Sequence, residues 1–459
     1  MDPYAMRPAK WCAPALFLAA TTFGCATGGR DSYDSLRADV DRSADVDART
    51  RVADDRALSG PELTRSTYVS AVLDRNPSIE SARDAWRAAV ARVRESGALE
   101  DPKVSFDVAP LSIGASSTRF GYVVAASQRV PWPGKLAFEE EVTKAEAQAA
   151  KSDFEGARRE LALTAAVLYD EYFVAARSLE INDHHVALMR ELKASALAQF
   201  EGGRGSAQDP LQAEAELAHM EHDAITLEAD REITVAQMNE LLHRDPEQPL
   251  PPPTKDLALS NPPASLEGKR LADEASASRP EIASARFHAQ AEQARADRAE
   301  RESYPDLTVS TSYNSMWDTP EHRWMVGLGL DVPIQFGRRA GAVDEANAAR
   351  ARFESEVASM TDQARTEVVV ALKRLDEAHH VVEIFEDRLI PVARDQVDAA
   401  RAGFIASRND FAVVIGAEKN LRSVELDYQM ARANVDRRRA ELDRARGRMP
   451  GIDGRDGAR

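Results

Sequence analysis

Apolar residues recur along this chain with two periods, and the two periods alternate in a fixed order. Ile79, Ala82, Trp86, Ala89 and Val93 fall three or four residues apart, the stripe of an amphipathic helix. That helix opens at Asn76-Pro77, where proline pre-sets the φ angle of a first turn. Past Asp101-Pro102 the period drops to two: Val104, Phe106 and Val108 point one way, Lys103, Ser105 and Asp107 the other. A return strand is predicted over about Phe120 to Val130. After Val130-Pro131 helical spacing runs from Leu136 to about Gln199 without obvious interruption, roughly 90–100 Å at the rise of an α-helix.

The order then repeats. Arg279-Pro280-Glu281-Ile282 opens a second helical run and Tyr304-Pro305 ends it. Leu307, Val309, Thr311 and Tyr313 alternate with Thr308, Ser310 and Ser312; Trp324, Val326, Leu328 and Leu330 alternate with Met325, Gly327, Gly329 and Asp331. Val332-Pro333 breaks the strand, and helical spacing continues from Arg339 to about Ala402. Each long run stops at a Gly-containing break and returns as another long helix. The breaks share a spacing: Gly202, Ser206 and Asp209 in the first, Gly403, Ser407 and Asp410 in the second. Ser and Asp ahead of a returning helix supply N-cap acceptors and an anion that suits the helix dipole. The fold class is therefore mainly α with a small β portion, a duplicated helix–strand–strand–helix–helix. The first repeat covers 61–245 and the second 264–446, joined by a Pro-rich connector at 246–263 that is stiffest at Pro251-Pro252-Pro253.

Composition narrows the class. Aromatic residues make up 6% of the 459 and charged residues 29%, which suits long helices packed through small side chains. The net charge of -17 argues against nucleic acid as a partner and is compatible with a duct for cations. The two cysteines, Cys12 and Cys25, leave the rest of the chain without a disulfide framework or a Cys-based metal site. Arg7 and Lys10 precede an apolar stretch from Trp11 to Phe23 that is too short to span a bilayer, so 1–25 resembles a bacterial export signal. Gly24-Cys25 also resembles a lipoprotein signal with Cys25 as the acylated residue, although Thr22 and Phe23 depart from the aliphatic and small residues usual there. Residues 26–60, rich in Asp, Arg and Ser, read as a flexible segment, and 447–459 as a flexible tail.

Four strands with one apolar face cannot stand as a free sheet, because edges and face would both be exposed. A bilayer admits strands only as a closed barrel, apolar outward and polar to the lumen. Four is fewer than the eight of the smallest common single-chain barrels, so closure requires further copies: two would give eight strands, three would give twelve.

The stretch Gln128-Arg129-Val130-Pro131-Trp132-Pro133-Gly134-Lys135-Leu136, taken with the Gly…Ser-x-x-Asp breaks, resembles the TolC-type outer-membrane efflux proteins. It is most similar to the branch serving heavy-metal cation efflux systems, and the resemblance runs from about Pro61 to Arg446. It implies a homotrimer: a twelve-stranded β-barrel in outer-membrane lipid, continued by a long periplasmic α-helical barrel. It further implies docking to a periplasmic adaptor (membrane fusion) protein and a proton-driven, RND-type inner-membrane pump. The chain itself would be a passive duct with no cofactor. Carried over by position, Pro131, Trp132, Pro133, Gly134 and Lys135 would form the barrel-to-helix turn. Gly202, Ser206, Asp209, Gly403, Ser407 and Asp410 would form the periplasmic tip and adaptor contact. Asp410 would stand at the aperture; Val413 occupies the place of a second acid one turn on, and Asp209 either contributes or only caps its helix. Three carboxylates around an axis would concentrate cations by focusing the field.

Histidine pairs invite a metal reading. Adjacent helical residues diverge by about 100°, so His184-His185 and His379-His380 chelate poorly, and His219 with His222 is the better spaced pair. Solvated helix faces are the expectation for all of them. No enzyme motif is present: no Gly-x-Ser-x-Gly, no His-Glu-x-x-His, no phosphate-cradling Gly-x-x-x-x-Gly-Lys. Two other functions compete with the efflux duct, a TolC-like duct for type I protein secretion and a structural envelope tether anchored through Cys25.

Overall fold

The computed structural model describes residues 31–45, 58–114, 119–257, 268–406 and 408–452. The export signal, Cys25 and Ser407 lie outside the described residues. The first repeat holds α2 (Arg65–Arg75), α3 (Pro77–Ser96), β1 (Lys103–Val108), β2 (Tyr122–Val130), α4 (Lys135–Glu201) and α5 (Gln208–Leu241). The second holds α6 (Gly268–Ser278), α7 (Pro280–Arg301), β3 (Asp306–Asn314), β4 (Trp324–Asp331), α8 (Phe336–Ile384), α9 (Ile390–Ile405) and α10 (Phe411–Ala445). Residues 31–45 add a helix, α1, ahead of both. The chain divides into two compact units.

One unit comprises Asp84–Lys151 and Ser284–Glu356 with the N-terminal residues to Arg42. Its centre is an antiparallel sheet in chain order, β1-β2-β3-β4, so the β2–β3 pairing joins the repeats and β1 and β4 are the edges. Beneath the sheet, Val142 and Ala145 of α4 meet Ala291 and Ala294 of α7. Such small side chains let helix axes approach closely. Ion pairs from Arg298 to Glu139 and Arg295 to Glu146 border that contact. Helix α1 corrects the flexible-segment reading over 31–45. Leu36 and Val40 are one turn apart and both buried. Lys144 Nζ donates to Ser32 Oγ at 3.1 Å, and Lys151 Nζ to Asp39 Oδ2 at 2.9 Å. A segment too polar to fold alone is ordered by those few tertiary contacts.

The other unit comprises Ser43–Arg83, Ser152–Ala283 and Val357–Arg459. Duplication is visible here in hydrogen bonds. The residue before each repeat's opening proline reaches the end of that repeat's returning helix: Asn76 Nδ2 donates to the Leu241 carbonyl at 3.0 Å, Arg279 Nε to the Ala445 carbonyl at 2.7 Å. Both returning helices end alike, the Arg244 N–H donating to Asn239 O and the Arg448 N–H to Asp443 O. The described part of the connector is pinned: the Leu63 N–H donates to Pro252 O at 2.8 Å and Tyr172 Oη to Pro251 O at 3.0 Å. The uninterrupted helix predicted from Arg339 is interrupted by a π turn at Phe385–Leu389. Pro391 stands just beyond; proline has no N–H to donate and crowds the carbonyl one turn back, which a wider turn accommodates.

Candidate functional site

The sheet bears the first candidate surface. Register puts Val104, Phe106 and Val108 of β1 beside Tyr122, Val124 and Ala126 of β2, then Leu307, Val309 and Tyr313 of β3, then Trp324, Val326, Leu328 and Leu330 of β4. All point to one side, and Val326 and Leu328 are 80% and 74% exposed. The opposite side carries Lys103, Ser105, Asp107, Ser127, Thr308, Ser310, Ser312 and Gly327. The alternation read from the sequence thus becomes a continuous apolar face across four strands. Phe106, Tyr122, Tyr313 and Trp324 form a transverse aromatic band on it, with successive ring centroids 6.1, 5.9 and 5.3 Å apart. On the helix side of the sheet, Trp132 stacks on Tyr304 at 5.5 Å. Aromatic belts at both ends of an apolar band are the pattern of strands lying in lipid. The nine residues of β2 extend about 30 Å, which at the tilt of a barrel strand approaches the apolar band of about 25 Å found in outer-membrane barrels.

Pro131, Trp132, Pro133, Gly134 and Lys135 lead from β2 into α4, and the structure supplies what the sequence did not show, the group that holds them. Asp306, the buried first residue of β3, accepts from the Trp132 N–H at 2.9 Å, Lys135 Nζ at 2.8 Å and Arg129 Nη2 at 2.7 Å. Lys135 Nζ also donates to the Tyr304 carbonyl at 3.0 Å. One carboxylate therefore ties strand, turn and helix together. Nothing local distinguishes Asp306 in the sequence, since its partners come from the other repeat.

The two helix breaks differ more than their shared spacing suggests. In the first, Gly203 rather than Gly202 takes the left-handed turn at φ 66°, and the Arg204 N–H donates to Gln199 O at 2.9 Å. Ser206 Oγ accepts from the Gln208 N–H at 3.1 Å while Asp209 Oδ2 accepts from the Ser206 N–H at 3.2 Å. That reciprocal pair closes the turn ahead of α5 in the manner of a capping box, and it accounts for Asp209. In the second break Gly403 lies within α9 against Asn409, where a Cβ would fall 2.2 Å from Asn409 Nδ2. Asp410 itself precedes α10, extended at φ -69° and ψ 151°; its exposed side chain makes no capping hydrogen bond. Phe411, 1% exposed, wedges beside Phe404 at 5.1 Å and packs with Met189, Leu217, Met220 and Ile415. Its burial sets the direction in which Asp410 leaves the helix.

Solvated faces are correct for His184, His219, His222 and His380, which are exposed. His379 is half-buried, and burial pushes its pKa down. His185 is a correction: it is 1% exposed and hydrogen-bonded to Glu425 across 3.0 Å. Helical periodicity could have flagged it, because Asn182, Val186 and Met189 share its buried face. Among the described residues no group of three or more His, Cys, Asp or Glu is placed to hold a metal ion. No helix among them is long and apolar enough to cross a membrane.

A half-apolar sheet with open edges and very long helices is an architecture shared with solved outer-membrane channels. Residues 271–448 match the model of the outer membrane efflux protein family. The TolC-type likeness read from the turn and the breaks is borne out. The structure superimposes on that of CusC, whose study concerns transmembrane channel formation, with a TM-score of 0.72, 18% identity, and coverage of 84% of this chain and 92% of that one. It superimposes on the Campylobacter jejuni CmeC outer membrane channel with a TM-score of 0.68, 16% identity, and coverage of 84% and 86%. In sequence it is 25% identical to the cobalt-zinc-cadmium resistance protein CzcC of Cupriavidus metallidurans over 150 residues. That stretch is 32% of this chain and 34% of CzcC.

Proposed function

We propose that the chain is the outer-membrane channel of a tripartite efflux system. Three copies close twelve strands into a barrel, β4 of each pairing with β1 of the next, and their long helices continue the duct through the periplasm. The observation that carries this reading is the apolar sheet face flanked by two unpaired edges, which satisfies its backbone only in a closed ring. The helix breaks are the periplasmic tip, and the positions offered to the adaptor are Gly202, Ser206 and Asp209 in one break and Gly403, Ser407 and Asp410 in the other. Energy comes from an RND-type pump in the inner membrane, and the chain is a passive conduit. The likeness to CzcC favours heavy-metal cations as cargo, and an acidic aperture suits cations.

Between the two acids, the geometry favours Asp410 as the aperture residue, because Asp209 is engaged in capping and the Asp410 carboxylate is not. Detergent-extracted protein should be a trimer in sedimentation. In planar bilayers D410A should relax the closed aperture and so raise total conductance, while cation selectivity falls because the charges that focus cations are gone. D209A should leave conductance unchanged and loosen only the first turn of α5, by about 1 kcal/mol in hydrogen exchange. A water-soluble monomer, or a trimer that never conducts even as D410A, rules the duct out. Deletion of the gene should sensitise cells to exported metals; tolerance unaffected by deletion would remove the metal assignment.

A further inference from the structure

We propose that His185 is a proton-operated clasp that holds α4 against α10 near the tip, drawing tight in acid and slackening as pH rises. The proposal concerns regulation of the duct and rests on that reading. His185 projects from α4 between two carboxylates of α10, Glu418 and Glu425, which stand seven residues apart on one helix face. Each carboxylate is backed by an arginine of α9, also seven apart: Arg401 donates to Glu418 Oε1, and Arg394 Nη2 to Glu425 Oε1 at 3.3 Å. His185 Nε2 lies 3.0 Å from Glu425 Oε2. On the other side of the ring, Nδ1 lies 3.8 Å from Glu418 Oε2. Both atoms are buried, and neither has a hydrogen-bond partner among the described residues.

Two facing buried polar atoms that miss each other by less than an ångström mark an unfinished bond. A neutral imidazole has one N–H, so it serves one carboxylate and turns a lone pair toward the other. An imidazolium has two, and the second would close the gap as a charge-assisted hydrogen bond. The neighbouring charges are already matched. Arg422 Nη2 lies 2.7 Å from both Asn182 Oδ1 and Asp223 Oδ2, and Lys419 Nζ lies 2.8 Å from Glu216 Oε2. The His184 ring is edge-on at 5.6 Å and exposed. The hydrogen bond with His185, aided by Arg394 and working against burial, holds the Glu425 carboxyl below its usual range. Glu425 is therefore held in its ionised form, and imidazole is the side chain whose ordinary charge change falls between about pH 5 and 8. The clasp reaches the tip through packing, because Val186 and Met189, beside His185, share a cluster with Phe411 and Ile415.

The test uses full-length protein in planar bilayers, in a D410A background so that titration of the aperture acid is absent. Conductance should rise about tenfold from pH 5 to pH 8, the scale of one charge-assisted hydrogen bond lost. H185Q and E418Q should each flatten that slope, and H184Q should keep it. A D410A channel without a pH slope, or a slope that survives in both H185Q and E418Q, overturns the clasp while leaving the duct standing. A chain that conducts at no pH overturns the duct first. Should H185Q fail to assemble, E418Q decides alone, because glutamine there keeps the shape and removes the charge that the imidazolium needs.

Discussion

His243 and Gly447 occupy the same place in the two repeats, just past the returning helix, and both are left-handed, at φ 53° and 74°. Glycine adopts that conformation freely, whereas a side chain there costs about 1–2 kcal/mol. His243 is exposed and so loses little contact on truncation. H243G is expected to stabilise the protein by about 1 kcal/mol, read as a higher midpoint in denaturant unfolding of the detergent-solubilised channel. Residue-scale features of this kind were hidden in the sequence wherever the partner is remote. Asp306 is one of 76 acidic residues and acquires its role only when Lys135 and Arg129 arrive from the other repeat. His185 meets Glu425 across 240 positions. Asp209 and Asp410 match in spacing, yet one is the second residue of its helix and the other precedes its helix.

Elements were far more legible. A period of two is a local property, so β1 to β4 and the face each residue takes could be read before any pairing was known. The face makes a prediction of its own. L328R places a charge on the apolar side near mid-strand, where a lipid-facing arginine costs about 2–4 kcal/mol. If three copies close the barrel as proposed, L328R should abolish heat-resistant trimers in outer-membrane fractions, whereas S310R, on the other side, should assemble and alter conductance. What escaped at this scale had weak local signals. Leu36 and Val40 are a single apolar pair in a charged stretch, and the pairing of Lys144 and Lys151 with that helix is not visible in composition.

For the molecule as a whole, duplication was the legible fact and the joints between its parts were not. Arg279 shows how such a joint responds to acid. It is buried, donates to the Ala445 carbonyl, and contacts Glu367 Oε2 at 2.6 Å. Burial alone would raise the Glu367 pKa, but hydrogen bonds from Arg279 and Gln363 outweigh it, and the carboxyl sits below the usual value of 4.5. A depressed carboxylate stabilises the fold fully above its unfolded pKa and loses that contribution as pH falls through the folded value. The thermal midpoint of the solubilised protein should therefore drop below about pH 4.5, and E367Q should be less stable at neutral pH and less sensitive to acid.

The π turn at Phe385–Leu389 carries a last consequence. Each residue of an α-helix advances its azimuth by about 100°, so a wider turn acts as a phase shifter for everything downstream. Winding those five residues as regular helix, which P391A would permit, would rotate α9 by roughly a quarter-turn before it reaches Asp410. If three copies close a barrel as proposed, this variant should still assemble but with its aperture mis-clocked, seen as steady leak current in planar bilayers.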